Sequence, residues 1–370
     1  MKDLAKPIVA LGFMSGTSMD GVDAALIETD GRHDVRALAA LTRPYDADFR
    51  ARLAAVVAGR ADPHSLEGEL TERHAEAGFA LLREAGIEPR AVGVAGFHGQ
   101  TIRHAPAERL TVQIGDGARL AERLGIDVVA DFRRRDVAAG GEGAPLAPVY
   151  HAALCHTLPR PVAVLNIGGV ANVTFVGAGD AMVGNLIAFD TGPGNALIDD
   201  WCAQHTGEPI DRDGRLARSG RVHAATLAHL LEAPFFRRLP PKSLDRNAFS
   251  LAPLSGLGAA DGAATLVAFT ASAVALGRAF VPMAPLRWLV AGGGRRNPAI
   301  MAALGAALGV AVEPIEAIGT DGDALEAQAF AYLAVRSLLG LPLSLPSTTG
   351  VSRPVTGGAL HRYGATRAAD

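Results

Sequence analysis

Cysteine is nearly missing: Cys155 and Cys202 are the two in 370 residues. Two thiols rule out a disulfide framework and fit a reducing compartment. Aromatic residues reach only 5%, so the core must be built from the Ala, Val and Leu within the 49% hydrophobic share. Positive charge is not in excess. The formal net charge is −3, which removes the electrostatic footprint of a nucleic-acid binder. Arg133, Arg134 and Arg135 form the one dense basic run, read as a solvated face. No apolar run reaches the ~20 residues of a membrane span. The longest, 263–277, ends at Arg278 and reads as a buried helix. No signal-peptide pattern is seen at the start, and a soluble cytoplasmic protein is expected. Neither a P-loop, a G-x-G-x-x-G after a strand, a G-x-S-x-G elbow nor H-E-x-x-H occurs. His151 and Cys155 could share a helix face, but two metal ligands without a third read as structural.

Glycine is what the chain has in plenty: 43 residues, roughly 12% against a usual ~7%. Length permits two domains. The first glycine cluster lies between two strand-like runs, IVALGFM and VDAALIE, where Gly16, Thr17, Ser18, Asp20 and Gly21 form a polar tip. A hairpin needs only two turn residues. Backbone N–H groups and hydroxyls in such a corner can converge on a phosphate. Asp20 would repel that phosphate unless a cation, Mg²⁺ for instance, sat between them. A plain capped turn explains the same residues equally well.

The layout then repeats. PVAVLNIGGVANVTFVG, 161–177, is again strand, glycine corner and strand, with Gly168 and Gly169 at the bend. A third site, AGGGRRNP at 291–298, follows a strand and opens a helix. Ligands bind at such strand ends in open α/β sheets. The expected boundary lies near 155–161. Residues 46–86 and 321–340 read as helical, HGQT (98–101) as a polar corner after a strand, and TGPGN (191–195) as a turn.

GFMSGTSMDGVDAALIE, FHGQTIRH, VADFR, NIGGVANVT, FDTGPGNALID, AGGGRRNP, EAQAFAYLA and LPSTTG together resemble the anhydro-N-acetylmuramic acid kinases, within the sugar kinase, heat-shock ATPase and actin superfamily. The likeness spans roughly residues 8–358 and is most specific in FDTGPGN and GTSMDG. It implies an α/β fold of two related actin-like (ribonuclease H-like) domains, each a mixed five-stranded sheet with flanking helices, and ATP in the interdomain cleft. The domains would be 1–157, completed by 325–370, and 158–324. The family's phosphate hairpins fall on Gly12, Ser15, Gly16, Thr17, Ser18, Met19, Asp20 and Gly21, and on Asn166, Gly168 and Gly169. Its adenosine motif falls on Gly292, Gly293 and Gly294, with Asn297. Its sugar pocket would take Gln100, Thr101, Arg133, Gly192 and Asn195. Asp190 would be the catalytic carboxylate and Glu326 a supporting one. The implied cofactors are ATP and Mg²⁺, the latter reached by Asp20 through water. The implied partner is a second copy of the chain, and the role is recycling of peptidoglycan fragments.

The residues themselves leave blander readings open. Asp190 could bond to its own turn, although Asn195 is better placed to cap the following helix. Asp323 could cap the last long helix, with Glu326 completing a capping box. Two stretches depart from the family pattern: Glu142 stands in GGEGAPL where a glutamine is usual, and Asp245 in PKSLDRNAF where glycine is common. The rival functions are an ordinary sugar kinase acting on a free hydroxyl, with Asp190 as its base, and a nucleotide-driven chaperone or assembly ATPase.

Overall fold

The computed structural model describes residues 6–16, 18–179 and 184–365; Thr17 lies outside them. The chain forms two compact units, Met1–His156 with Ala324–Asp370, and Thr157–Asp323. The first unit opens with the strands β1 (Ile8–Ser15), β2 (Gly21–Thr29) and β3 (Val35–Pro44). Helices α1 (Ala47–Val57) and α2 (His64–Ala85) follow. They are two helices where one run looked continuous, because Gly59 adopts φ 69° and Pro63 stands before α2. Next come β4 (Val92–Ala105), β5 (Leu110–Ile114), α3 (Gly117–Leu124), β6 (Val128–Ala130), α4 (Arg134–Ala138) and α5 (Pro148–Leu154).

The second unit repeats the opening pattern: β7 (Val162–Ile167), β8 (Val170–Val176) and β9 (Leu186–Pro193). It continues with α6 (Ala196–Thr206), α7 (Arg215–Ser219), α8 (Ala224–Leu231), α9 (Ala259–Leu276), β10 (Arg287–Ala291), α10 (Pro298–Leu308) and β11 (Ala311–Pro314). The chain then returns to the first unit with α11 (Leu325–Leu338), α12 (Pro346–Thr349) and β12 (Ala359–His361).

Both sheets share one topology, a central strand flanked by an antiparallel hairpin on one side and parallel strands on the other. In the first unit the path is β3-β2-β1-β4-β6, and in the second β9-β8-β7-β10-β11. The β1–β4 and β7–β10 pairs are parallel, and the hairpin pairs are antiparallel. This is the mixed actin-like arrangement expected of both domains, with one correction. Among the described residues the first sheet has seven strands rather than five. β12 pairs with the edge strand β6, and β5 folds back on β4. For the same reason HGQT is no corner. β4 runs through it, with Gly99 at φ 70° where its register against β1 shifts between Phe97 and Gln100.

Apolar burial divides along the same lines. The first core gathers Leu11, Phe13, Leu26, Phe49, Leu70 and Phe97, and the second Leu165, Val173, Phe189, Trp201, Phe269 and Val290. Helical structure over Ala259–Phe280 extends for 22 residues, longer than its apolar window in the sequence, and by length and composition could cross a membrane. It is a core helix instead: Gly262 to Val274 are largely buried, with Gly262 against the Trp201 ring. In the first unit, α11 lies on β1, β2 and β4. Gly12 of β1 and Gly96 of β4 are register partners. A Cβ on Gly12 would strike the carbonyl of Ala327, and one on Gly96 the carbonyl of Phe330. The two glycines form a groove for the helix backbone.

Candidate active site

In the first unit the β1–β2 hairpin carries the polar tip. Ser18 and Asp20 are exposed there, and the Ser18 hydroxyl donates to Asp20 Oδ1 at 2.8 Å. Met19 takes φ 53°, and its N–H closes the turn onto the Gly16 carbonyl at 3.1 Å. A left-handed backbone at a methionine is uncommon and marks a loop held in one shape. The neighbours hold it. Ser15, 1% exposed, donates to Gln100 Oε1 at 2.7 Å and lies 2.9 Å from the Tyr45 hydroxyl. Gln100 Nε2 donates to the Gly16 carbonyl at 3.2 Å. Burial pushes the Tyr45 hydroxyl up to about 12, so it stays protonated.

Several of the residues expected at the ligand also make internal contacts. Ser15 and Gln100 are register partners whose polar groups brace the hairpin. Gly12 lies inside β1, and its missing side chain is explained by α11. Gly21 abuts the backbone of Arg43 and Pro44. Thr101 Oγ1 accepts from Gln113 Nε2 at 3.3 Å.

The same unit assembles a second cluster around Arg133. Its Nε donates to His98 Nε2 at 2.9 Å and its Nη1 to the Gly143 carbonyl at 2.7 Å. His98 Nε2 must therefore be an acceptor, which puts the proton on Nδ1, 2.8 Å from the Gly99 carbonyl. Burial first, then the Arg133 charge, pulls His98 well below its ordinary value, so it is neutral. Arg134 and Arg135 are exposed, and only Arg133 turns inward. Asp136 pins the adjoining loop, accepting from Gly143 N and Thr349 Oγ1, both at 2.6 Å. Glu142 is tied by its backbone: its N–H donates to the Thr349 carbonyl at 2.7 Å, and its carbonyl meets His104 Nε2 at 2.9 Å.

Glu326 stands in the first turn of α11. It reaches solvent, yet the protein around it raises its carboxyl above the usual range; Arg133 opposes this and Asp23 reinforces it. The capping box is absent. Ala324 occupies the N-cap, and Asp323 pairs instead with Arg295 at 2.9 Å and with Arg296.

The second unit collects its polar groups at one edge of its sheet, where β7, β9 and β10 all end. Asn166, Asn172 and Asp190 are register partners across β7, β8 and β9. Directly opposed residues project from the same face, so the three half-buried side chains form a polar row. Asp190 lies inside β9, which continues to Pro193 because β8 keeps pairing with it; TGPGN is therefore partly strand. Its partners come from far along the chain. The Asp190 N–H donates to the Lys242 carbonyl at 3.0 Å, and Leu244 N–H donates to Asp190 Oδ2 at 2.7 Å.

The Gly168–Gly169 corner is open. A Cβ on Gly168 would meet nothing nearer than 3.7 Å. Its carbonyls receive the N–H groups of Gly194 and Asn195, at 3.0 and 2.7 Å. Asn195 sits at the N-cap of α6 without capping it; its Nδ2 donates to the Ile167 carbonyl at 3.2 Å. Gly192 is packed against Ala273. In the third cluster Gly292 takes φ 73° and closes on Asn166 and Ile167, while Gly294 packs on Ile167. Gly293 has only Asn195 Nδ2, at 3.4 Å. Arg295 locks this turn through the Gly292 carbonyl at 3.0 Å and Glu316 at 2.7 Å. Asn297 caps α10, accepting from Ala299 N at 3.0 Å, so its side chain serves the helix.

Among the described residues no three His, Cys, Asp or Glu side chains gather to hold a metal. A magnesium ion carried on nucleotide phosphates needs only one or two protein carboxylates, and the exposed Asp20 can supply one. Sequence reasoning missed His98, Asn172 and Lys242. All three sit inside quoted stretches, HGQT, NIGGVANVT and PKSLDRNAF, and only contacts with distant segments assign them a place.

The family profile of anhydro-N-acetylmuramic acid kinase matches residues 8–363. The chain belongs to the anhydro-N-acetylmuramic acid kinase family. Members of this family from Rhodospirillum rubrum and Paramagnetospirillum magneticum are 59% and 54% identical, covering 94% and 96% of this chain and 93% and 99% of theirs. Membership makes the protein a kinase, a phosphotransferase. Among solved structures it is similar to component A of the (R)-2-hydroxyglutaryl-CoA dehydratase of Acidaminococcus fermentans, with TM-score 0.49 and 16% identity over 89% of this chain and 99% of that one.

Proposed function

We propose that the protein uses ATP and water to convert 1,6-anhydro-N-acetylmuramic acid to N-acetylmuramic acid 6-phosphate and ADP, in the recycling of peptidoglycan fragments. The observation that carries this reading is Asp190, held by the Leu244 N–H at the end of the polar row. The bridged sugar has no free 6-hydroxyl, so a base suited to a kinase of this family must activate water. Asp190 takes a proton from water, and the water oxygen bonds to C1. The C1–O6 bond breaks, and O6 accepts the γ-phosphoryl group as the bond to the ADP oxygen breaks. Glu326 and Arg133 support the sugar, with His98 fixing the Arg133 guanidinium. The Gly16 hairpin and the Gly168–Gly169 corner each offer backbone N–H groups to phosphate oxygens, and Gly293 lets the adenosine approach the backbone. Mg²⁺, held through Asp20 and the phosphates, would neutralise charge on the transferring group. The working form is a cytoplasmic homodimer.

ADP release with the anhydro sugar and with free N-acetylmuramic acid tests the substrate. Release is expected with the first alone; equal rates would favour an ordinary hydroxyl kinase, and release independent of any sugar would favour an ATPase. In ¹⁸O-labelled water the label is expected at C1 of the product by mass spectrometry. Label absent from C1 would rule out the water attack.

A further inference from the structure

Lysine occurs at three positions in the chain, Lys2, Lys6 and Lys242. Lys242 is 5% exposed. Its ammonium lies 4.3 Å from the ring centre of Phe280, 4.6 Å from that of Phe235 and 5.7 Å from that of Phe189, and donates to the Phe235 carbonyl at 3.2 Å. A cation desolvated among ring faces is strongly held there. Burying an ammonium is nonetheless costly unless an anion compensates it. The anion in its field is Asp190. The same segment grips Asp190 through its backbone, at the Lys242 carbonyl and the Leu244 N–H. Phe189, one wall of the cage, precedes Asp190 on β9.

The geometry points to Lys242 as a positioning residue for the reaction: its caged ammonium keeps the Asp190 carboxylate ionised while residues 242–244 aim it. The inference rests on the reading of Asp190 as the base. Burial, with the Arg238 charge, brings Lys242 down to about 8, and Asp190 opposes that fall. Near neutral pH Lys242 therefore remains mostly cationic, and the charged groups acting on it are Arg238 and Asp190. A cation beside a carboxylate lowers the pH at which the carboxylate ionises. Removing that cation raises it, so the acid side of the activity profile must move upward.

The test combines a spectroscopic titration with pH profiles. Protein labelled with ¹³C at lysine Cε gives signals from three side chains. The Lys242 signal is expected to titrate near 8 and lower still in Asp190→Asn. In Lys242→Met, the acid limb of the kcat profile is expected to rise by about one pH unit, with KM for ATP and sugar within about twofold. Loss of activity without a moved limb would leave only a structural role and overturn the inference. So would a Lys242 signal that titrates like an ordinary lysine or ignores Asp190→Asn. That titration decides even if Lys242→Met does not fold. If Asp190→Asn turns over normally, the base assignment itself fails. If Asp190→Asn is inactive but Lys242 does not respond to it, this inference fails alone.

Discussion

Asp190→Asn is expected to lower kcat by about 10³- to 10⁴-fold, the span that a positioned general base supplies, while the KM values for ATP and sugar stay within about twofold. Asparagine keeps an oxygen for the Leu244 N–H that now meets Asp190 Oδ2 at 2.7 Å. It also keeps the strand hydrogen bond from residue 190 to the Lys242 carbonyl at 3.0 Å. Shape and local bonding survive, and only the capacity to take a proton is lost. A fall in kcat and kcat/KM by the same factor is the mark of an interaction made in the transition state. Steady-state kinetics with calorimetric binding of each substrate check it. Turnover near the normal rate would remove Asp190 from the chemistry.

The second large effect divides the glycines by role. Gly12→Ala and Gly96→Ala each push a methyl group into the backbone of α11, at the carbonyls of Ala327 and Phe330. Overpacking a close-packed core costs about 1–3 kcal/mol, and rigid backbone on the far side puts these two at or above the upper end. Each is expected to lower the urea midpoint markedly. Gly168→Ala meets nothing within 3.4 Å, so its urea midpoint should be unchanged while its KM for ATP rises by at least tenfold. Denaturation curves and ATP titrations on the three variants check both halves. An unstable Gly168→Ala would make that corner a packing feature, and a stable Gly12→Ala would leave the groove without consequence.

The sequence makes the repeated strand–corner–strand layout legible because Gly, Asn and Asp at a bend have local causes. The paired sheets follow from it. Contacts between distant segments are not legible in this way. Nothing near Asp190 in the chain announces Leu244 or Lys242, since the pairing depends on where a loop some fifty residues later settles. Glycine is ambiguous for the same reason: Gly12 and Gly168 look alike in their motifs, yet one faces a helix and the other open space. Local rules also mislead where tertiary partners compete. Asp323 is drawn to Arg295 and Arg296 and so does not cap α11, and the Asn195 amide goes to the Ile167 carbonyl. The strand β12 escapes notice because it is only three residues long.

The groove formed by Gly12 and Gly96 is lined early in synthesis but filled late. The ribosome makes β1 and β4 first, then the whole of the second unit, and only afterwards the helix whose carbonyls sit over those two glycines. A nascent chain therefore waits with its opening sheet uncovered on one face, while the intervening unit has every segment it needs to fold first.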